Sequence, residues 1–508
     1  MYRVEPIIYR RAQKGRFPFV DTTDGNYLSH LLYEAGKKEG VPKMSIGVLG
    51  YKHIEDTKRC VESVLRFVGD IDYELILIDN GSEDQNETLN YYQSVPTMRK
   101  KIIQVEEALG PDYGCMLGTR LMYEYSEGDI LVALSNDHII TENALQNMLI
   151  CLESSSDIGV VTPMSSNAWM CQNPRLQYSS MEEMFEVAKA FNHSDPKKWK
   201  ERMITATVAS AFKREALALT GFYGYWSAEA ELLFKIRQAG YKVMLLGDTW
   251  VCHNHDYATK TDTHAWTQDK LKDRRMTELD EARRGGLKLF GDIMTFEYQL
   301  MSLLEKPTVE IPKLFAINVT AGQTLLDLKN RLRELDVFQT EASAFTTEAR
   351  YYGLLATAAK TVYCDRIQFL REDLEGQQFD VVLLGEPVNL FPDPENLMKT
   401  ILELLAPDGQ LLFKMKNTCD AKMLQGLLGN PVAAGDEKLI VMTLEDVKNM
   451  ASKYGAASMK ARRTIGNYDA KTVETVANIL SNTKAVKNVQ EAVQDVLTTE
   501  YLFCVRKG

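Results

Sequence analysis

The sequence predicts an α/β protein built from two doubly wound domains. Short apolar segments alternate with segments of helical periodicity from residue 44 onward, and a second alternation of the same kind begins near residue 312. Polar turn residues follow several of the apolar segments. Strands that alternate with helices form parallel sheets covered by helices. We therefore predict an N-terminal extension at 1–43, a first domain at 44–257, a helical linker at 258–308 and a second domain at 309–508.

The elements of the first domain follow from hydrophobic periodicity. Apolar runs bounded by turn residues predict strands at 44–49, 73–78, 101–105, 129–134, 159–162, 206–212, 241–246 and 249–252. Apolar residues at helical spacing predict helices at 55–67, 114–125, 141–153 and 227–238, with Thr141 as an N-cap. The polar segment 163–200 has no clear period and is predicted to be irregular.

The second domain is predicted in the same way. Strands are expected at 313–319, 379–384, 409–414 and 500–505, and helices at 324–335, 394–405, 471–482 and 484–497. A further helix is expected at 287–304, after the Gly285–Gly286 break. The two domains share a class but no internal sequence repeat.

Composition excludes several classes of protein. In 508 residues, 59 Lys+Arg stand against 70 Asp+Glu, a net charge of −11, and 45% of residues are hydrophobic. These values exclude a mainly disordered chain and argue against nucleic acid or anionic membrane as a partner. No apolar run is long enough to span a bilayer, and no signal peptide is evident. The eight scattered cysteines are typical of reduced thiols, so a cytoplasmic location is expected.

The loops that follow the strands of the first domain carry the candidate chemistry, because ligands bind at the carboxyl ends of parallel strands. Asp137 follows an apolar strand and is placed to bind a divalent cation that neutralises a diphosphate leaving group. A later imidazole can complete the metal site. Asp79, also at a strand end, can accept a hydrogen bond from a pyrimidine base, and Glu229 can take a proton from an attacking hydroxyl.

Four segments together resemble the family 2 glycosyltransferases of the GT-A fold, over about residues 44–256. The segment 76–84 resembles the family's strand and D(D/N)GSxD motif, 131–137 resembles its DxD strand, 221–243 resembles its acceptor loop and acidic helix, and 251–253 resembles its late histidine. This resemblance implies that Asp79 contacts uracil, that Asp137 and His253 hold Mn²⁺ or Mg²⁺, and that Glu229 is the base of an inverting displacement. The residues assigned to the nucleotide are Leu49, Tyr51, Asp79, Gly81, Ser135 and Asn136.

The sequence also departs from the family pattern. Ser135 replaces the first acid of DxD, which leaves one carboxylate there. Ala228 replaces the first acid of the pair before the helix, so the base is either Glu229 or Glu231. The loop after the first strand reads Leu-Gly-Tyr-Lys instead of P-x-Y-N, which leaves UDP, dTDP and GDP open.

Several residues have two readings. His253 and His255 alternate along a strand, so they face opposite sides. The motif position favours His253. His138 is interpreted as a packing or rim residue. Trp226 either stacks on the acceptor sugar or packs. The Asp79–Ser82 stretch is also a good turn sequence, since Asn-Gly tolerates positive φ.

Parts of the second domain are similar to class I S-adenosylmethionine-dependent methyltransferases. The strand 379–384, the helix 394–405 and the sequence APDGQLLF at 406–413 carry this similarity. The place that matches the family's G-x-G-x-G turn is 315–322, where only Gly322 is a glycine, and the acid expected at the end of the second strand falls near Glu341. A domain that has lost catalysis is therefore favoured, with S-adenosylmethionine not expected as a cofactor and with acceptor binding or homo-oligomerisation as its role.

The leading hypothesis is a metal-dependent inverting glycosyltransferase. It would move a hexose or N-acetylhexosamine from a nucleotide-sugar donor, which serves as co-substrate, to a hydroxyl of a protein or glycan acceptor. The second hypothesis adds methyl transfer by the C-terminal half. The third is a non-catalytic nucleotide-binding scaffold, which Ser135 and Ala228 motivate.

Overall fold

The computed structural model describes residues 4–9, 41–97, 99–106, 111–168, 170–219, 228–253, 292–421, 439–484 and 486–508. For residues 111–117 and 228–231 it describes the backbone alone. The chain divides into two compact units, Met1–Met294 and Thr295–Gly508. The second unit thus begins inside the segment predicted to be a linker. The part of the predicted helical linker at 258–291 lies outside the described residues.

Unit 1 contains alternating strands and helices from residue 44 onward, as predicted. Its strands are β1 (Ile7–Tyr9), β2 (Met44–Gly50), β3 (Tyr73–Asp79), β4 (Lys100–Val105), β5 (Ile130–Ser135), β6 (His138–Ile139), β7 (Ile158–Ser165), β8 (Trp199–Arg202), β9 (Ala211–Lys213) and β10 (Lys242–His253). Its helices are α1 (Ile54–Phe67), α2 (Glu87–Ser94), α3 (Pro111–Tyr125), α4 (Ala144–Ser154), α5 (Met181–Phe191), α6 (Arg214–Ala218) and α7 (Ala228–Gln238), with a 3-10 turn at Pro196–Lys198.

The sheet of unit 1 is mixed rather than wholly parallel. Its strand order is β1-β4-β3-β2-β5-β9-β7-β10-β6, and β8 pairs with β10. The strands β1, β4, β3, β2 and β5 run parallel to one another. The short β9 is antiparallel to both β5 and β7, and β6 and β8 are antiparallel to β10. The chain leaves β2 toward β3 on one side and returns as β5 on the other, so a crevice opens at the carboxyl ends of these strands.

Burial of the central strands explains their apolar runs. Met44, Ile46 and Val48 of β2 and Leu75 and Leu77 of β3 are fully buried in one core cluster. Helix α1 packs Cys60, Val61 and Val64 against the same cluster, as the helical spacing of its apolar residues predicts. This rigid core fixes the strand ends that form the crevice.

Part of the N-terminal extension packs on unit 1. Strand β1 adds in parallel to β4 at the sheet edge, with Ile7 opposite Ile103. The side-chain amide of Gln93 continues this pairing, because its oxygen accepts from the Val4 backbone N–H at 3.1 Å and its nitrogen donates to the Val4 carbonyl at 2.6 Å.

Several predicted elements of unit 1 are corrected by the structure. The segment 163–200 contains α5, the 3-10 turn and the start of β8. Thr141 does not cap α4, because its hydroxyl donates to the Trp250 carbonyl and the helix starts after Asn143. The strand predicted at 206–212 shortens to β9 because the Gln172 side chain takes both backbone hydrogen bonds of Ala206.

Unit 2 is a second α/β unit with its own sheet. Its strands are β11 (Lys313–Ile317), β12 (Glu341–Thr346), β13 (Thr361–Cys364), β14 (Phe379–Leu384), β15 (Leu405–Lys416), β16 (Ala456–Ile465) and β17 (Thr498–Lys507). Its helices are α8 (Tyr298–Met301), α9 (Gln323–Glu334), α10 (Tyr352–Leu355), α11 (Leu370–Asp373), α12 (Pro394–Leu404), α13 (Leu444–Lys453), α14 (Ala470–Ser481) and α15 (Val489–Leu497). Short 3-10 turns lie at Ala349–Tyr351, Ile367–Phe369 and Val388–Leu390.

The sheet of unit 2 is doubly wound. Its order is β13-β12-β11-β14-β15-β17-β16, with β11 to β15 parallel and β17 antiparallel to both of its neighbours. The order reverses between β11 and β14, which places a second crevice at their carboxyl ends. Phe315, Phe345 and Phe413 are fully buried in its core. Of the helix predicted at 287–304, the structure shows α8 within its described part.

Among the residues that the structure describes, no helix combines the length and the apolar character needed to cross a membrane.

Candidate active site

The crevice of unit 1 brings together three of the loops that the sequence singles out. The loops after β2, β3 and β5 leave adjacent parallel strands, with Gly50 in register with Asp79 and Leu49 in register with Ser135. The Asn80 backbone N–H donates to the Gly50 carbonyl at 2.8 Å, and the Asn136 N–H donates to the Leu49 carbonyl at 3.0 Å. The three loops are therefore tied to one another at the sheet edge.

Asp79 is a buried carboxylate at the carboxyl end of β3, and it also begins a tight turn. Its Oδ1 accepts from the Ser82 backbone N–H at 2.9 Å, and Gly81 adopts a positive φ of 66°. Burial raises the pKa of Asp79, while the hydrogen bonds from Ser82 act in the opposite direction. The structure confirms the turn at this segment, and the contact of Asp79 with the base stays a prediction.

The residues assigned to the nucleotide have distinct surroundings. Asn136 ties the site together, because its Nδ2 donates to the Lys52 carbonyl and to Thr57 Oγ1, each at 3.1 Å. The Leu49 side chain packs closely against α3 at Gly118, and its assignment to the nucleotide stays a prediction. The Lys52 ammonium lies 5.4 Å from the centre of the Tyr51 ring.

Asp137 and His253 meet at the end of β5 although 116 positions separate them in the chain. His253 Nε2 lies 3.5 Å from Asp137 Oδ2. The pairing of β6 with β10 sets this distance, since it places His253 opposite His138, the residue after Asp137. The structure thus brings together the two residues that the sequence assigned to a metal.

His138 joins the same cluster. One ring nitrogen of His138, one of His253 and a carboxylate oxygen of Asp137 all lie within 4.8 Å of one another. His138 is only 4% exposed, and its ring meets that of His253 edge to face with centroids 4.9 Å apart. The burial of His138 agrees with the interpretation of it as a packing residue, but that interpretation did not predict its place beside the two predicted metal ligands.

Two residues after β7 hold His253 and were also missed. The Ser166 hydroxyl donates to the His253 carbonyl at 3.1 Å and accepts from the His253 N–H at 3.0 Å. The Asn167 carbonyl lies 3.2 Å from His253 Nδ1, and its Nδ2 donates to the His253 carbonyl at 2.8 Å. Nothing in the local sequence signals these contacts, because they depend on the pairing of β7 with β10.

The structure describes the remaining predicted site residues only in part or not at all. Glu229 and Glu231 fall in the first turn of α7, and the structure describes their backbone alone. Trp226 and His255 lie outside the described residues.

The crevice of unit 2 is spanned by side chains of the protein itself. Asn318 Nδ2 donates to Glu386 Oε2 at 2.6 Å, which links the loop after β11 to the loop after β14. Asn318 Oδ1 accepts from the Thr347 N–H at 3.0 Å, beyond the end of β12. The expectation for Glu341 is wrong, because Glu341 begins β12 and so lies at the opposite edge of the sheet.

The loop after β11 has positive φ at alternate residues: 48° at Asn318, 46° at Thr320 and 103° at Gly322. These three positions lie within 315–322, the segment that matches the place of the G-x-G-x-G turn, and their spacing is that of its glycines. The backbone therefore keeps a conformation that suits glycine, while two of the three residues carry side chains.

Comparison with protein families finds that the model for glycosyl transferase family 2 matches residues 45–218. This match covers β2 to α6 and includes Asp79 and Asp137. It confirms the family resemblance that the sequence predicted for the first domain. A comparison with curated protein sequences found no significant match.

Comparison with solved structures finds glycosyltransferases and methyltransferases, all of low sequence identity. A mannosyltransferase, PcManGT from Pyrobaculum calidifontis in complex with GDP-Man and Mn²⁺, is 18% identical with a TM-score of 0.32, covering 47% of this chain and 66% of its own. GalNAc-T7 with UDP, GalNAc and Mn²⁺ is 16% identical with a TM-score of 0.33, covering 42% and 44%. This chain thus spans less than two thirds of the length of either. A SAM-dependent methyltransferase from Archaeoglobus fulgidus is 15% identical with a TM-score of 0.27, covering 39% and 86%.

Proposed function

We propose that this protein is a metal-dependent, inverting glycosyltransferase. It moves a hexose or N-acetylhexosamine from a nucleotide donor, with UDP as the first choice, to a hydroxyl of a protein or glycan acceptor. The observation that carries the proposal is the meeting of Asp137 with His253 in a crevice that also holds Asp79. That crevice lies in the region matched to family 2 glycosyltransferases.

The residues at Asp137 fit a divalent cation. A carboxylate suits Mg²⁺ and Mn²⁺, and an imidazole nitrogen is acceptable to Mn²⁺. The Asn167 carbonyl lies at hydrogen-bond distance from Nδ1 of His253, an outer contact typical of metal-binding histidines. Asp137 and His253 would hold the ion, which when bound would neutralise charge on the diphosphate leaving group.

The base of the donor is assigned to the β3 end of the crevice. Asp79 would accept a hydrogen bond from a ring N–H of the base, and the turn held by Ser82 keeps its carboxylate in place. A cytosine ring offers a lone pair at that position and would be rejected. Uracil, thymine and guanine each offer an N–H, so UDP, dTDP and GDP are the donors to test.

The proton transfer is assigned to the first turn of α7. Glu229 would take the proton of the acceptor hydroxyl. The hydroxyl oxygen would bond to the anomeric carbon of the donor sugar while the nucleoside diphosphate leaves from the opposite face. Glu231 is the alternative base two positions along the same helix. Trp226 is proposed to stack on the acceptor.

Thermal unfolding with and without nucleotide tests the donor site. A ligand that binds only the native state raises the midpoint in proportion to RT ln(1 + [L]/Kd). We expect Mn²⁺-dependent stabilisation by one of UDP, dTDP and GDP, and its loss in Asp137→Ala. The matched control is Asp157→Ala, because Asp157 pairs with Lys242 in the same unit, away from the crevice. The scaffold hypothesis is favoured instead if a nucleotide binds equally well without metal and no sugar is released.

Glutamine variants at positions 229 and 231 test the base. Glu229→Gln is expected to lower kcat by 10²–10⁴-fold, the usual contribution of a general base, while nucleotide affinity stays within about threefold. Glu231→Gln serves as the control on the same helix. If Glu231→Gln loses activity and Glu229→Gln keeps it, the two roles are exchanged.

We infer that unit 2 does not transfer methyl groups and that it serves acceptor binding or self-association. The side chains of Asn318 and Glu386 join across its crevice, and Glu341 lies at the far edge of the sheet. Calorimetric titration of the full chain with S-adenosylmethionine tests this inference. Micromolar binding would favour the bifunctional enzyme.

A further inference from the structure

Asp137, His138 and His253 form a cluster that could be taken for three metal ligands, since one ligand atom of each lies within 4.8 Å of the others. The hydrogen bonds made by the two imidazoles separate their roles. A neutral imidazole has one nitrogen that carries a proton and one that offers a lone pair, and the partner of each nitrogen decides which is which.

His253 has its proton on Nδ1. The atom 3.2 Å from Nδ1 is the Asn167 carbonyl oxygen, which can only accept. The lone pair of His253 is therefore on Nε2, the nitrogen that lies 3.5 Å from Asp137 Oδ2. This arrangement suits a metal ligand.

His138 has the opposite arrangement. Its Nδ1 lies 3.1 Å from the Ser135 backbone nitrogen, which can only donate. The Nδ1 lone pair is thus occupied, and in the neutral ring the proton is on Nε2. A nitrogen that carries a proton donates a hydrogen bond and does not bind a cation.

We propose that His138 is a diphosphate-binding residue whose Nε2–H donates to a phosphate oxygen of the nucleotide donor, beside a cation held by Asp137 and His253 alone. This inference rests on the proposed function. Phosphate oxygens that share the cation with Asp137 and His253 would enter the cluster that contains His138, and a fixed N–H donor there stabilises their charge. The Ser135 N–H and the contact with the His253 ring keep the His138 ring in one orientation.

Two amide variants of His138 distinguish a role as hydrogen-bond donor to phosphate from a role as metal ligand. The Oδ1 of His138→Asn can still accept from the Ser135 N–H, but no donor replaces Nε2–H. The amide of His138→Gln reaches about as far as Nε2 and can donate there. Each variant is compared with wild type and with His253→Ala in two titrations of the full chain. The first uses Mn²⁺ alone, followed by electron paramagnetic resonance, and the second uses UDP and UMP at saturating Mn²⁺, followed by calorimetry.

We expect both His138 variants to bind Mn²⁺ within threefold of wild type, while His253→Ala loses at least tenfold. UDP affinity should fall about tenfold in His138→Asn and recover to within threefold in His138→Gln. UMP affinity should change less, because UMP lacks the second phosphate.

A tenfold loss of Mn²⁺ affinity in both His138 variants would make His138 a third ligand and overturn the inference. UDP binding by His138→Asn equal to that of wild type would also overturn it and leave the proposed function intact. If wild type itself binds none of UDP, GDP and dTDP with Mn²⁺, both the proposed function and this inference fail.

Discussion

At the scale of single residues, Asp79 shows how one carboxylate can serve both a turn and a crevice. It ends a buried strand, accepts from Ser82 and is itself only 2% exposed. The sequence could place it there because strand ends and Asn-Gly turns have clear local signals. The family resemblance assigned Asp137 and His253 to one metal site, but the sequence could not reveal that His138 lies beside them, because the contact of His138 with His253 depends on the two-residue antiparallel pairing of β6 with β10.

Asp79 leads to a prediction that separates binding from stability. Burial raises its pKa in the folded protein, so the folded state holds the proton more tightly than the unfolded chain does. Stability due to this group therefore falls as the pH rises from about 3.9, the ordinary value, through the raised pKa. Asp79→Asn removes the buried charge but keeps an acceptor for the Ser82 N–H. We expect it to unfold at an equal or higher denaturant concentration than wild type at pH 7, with the difference narrowing toward pH 4.

The same variant should bind the nucleotide more weakly, although its stability is expected to be equal or higher. A charged carboxylate is a stronger acceptor for a base N–H than an amide, so Asp79→Asn should bind UDP about tenfold more weakly at pH 7. Wild-type affinity should fall as the pH is lowered through the raised pKa, and the affinity of the variant should not follow that titration. Glu83→Gln, in the same turn, is the control. Equal pH profiles for wild type and Asp79→Asn would remove Asp79 from the base site.

At the scale of elements, the sequence predicted the central strands well and the connections less well. Strands β2, β3 and β14 are apolar runs that end at or next to a glycine or a polar residue, and their bounds agree with prediction within one residue. Helix α5 was missed although it has a local signal: Ser180 caps it by accepting from Glu183 N–H, and Met184 and Ala188 are buried four residues apart.

Strand β10 shows why some boundaries cannot be predicted locally. The two strand segments predicted at 241–246 and 249–252 are one strand with a register shift between Leu246 and Trp250. Asp248 lies in this bulge, where it accepts from the Asp195 N–H at 2.6 Å and from Trp199 Nε1 at 2.7 Å. Its partners come from a segment 50 residues away, so no local pattern shows that the strand continues.

The loop after β11 leads to a prediction about stability: substitutions at two of its positions should change the free energy of unfolding in opposite directions. Thr320 has a φ of 46°, which is unfavourable for a β-branched residue, whereas Gly322 has a φ of 103°. Thr320→Gly should stabilise the protein by about 0.5–1 kcal/mol, because relief of the left-handed strain exceeds the entropy that glycine loses on folding. Gly322→Ala should destabilise it by about 1–2 kcal/mol.

Denaturant unfolding of both variants measures these changes, with Thr320→Ala as the comparison that removes the branch but keeps Cβ. If Thr320→Gly is strongly destabilising, the side chain of Thr320 holds the loop more than the φ angle strains it.

At the scale of the whole molecule, each of the two α/β units has a crevice at the carboxyl ends of its parallel strands, where the strand order reverses. In unit 1 the crevice gathers groups that can bind a ligand: a buried carboxylate at the end of β3, an acid after β5, and one imidazole each on β6 and β10. In unit 2 the corresponding edges are joined by the hydrogen bond from Asn318 to Glu386. Fold class alone therefore does not tell the two apart, and the side chains at the strand ends do.

This contrast predicts where a nucleotide protects the backbone. Hydrogen exchange reports local opening, and a ligand slows exchange in the segments it orders. UDP with Mn²⁺ should slow exchange at 50–53, 79–82 and 135–138, and should leave 313–322 and 384–390 unchanged. Addition of S-adenosylmethionine should change none of these segments. Asp137→Ala supplies the control, because it should abolish the Mn²⁺-dependent part of the protection at 135–138. Protection at 318–322 by S-adenosylmethionine would instead show that the crevice of unit 2 opens despite the contact between Asn318 and Glu386, and would give the second half of the chain a cofactor site.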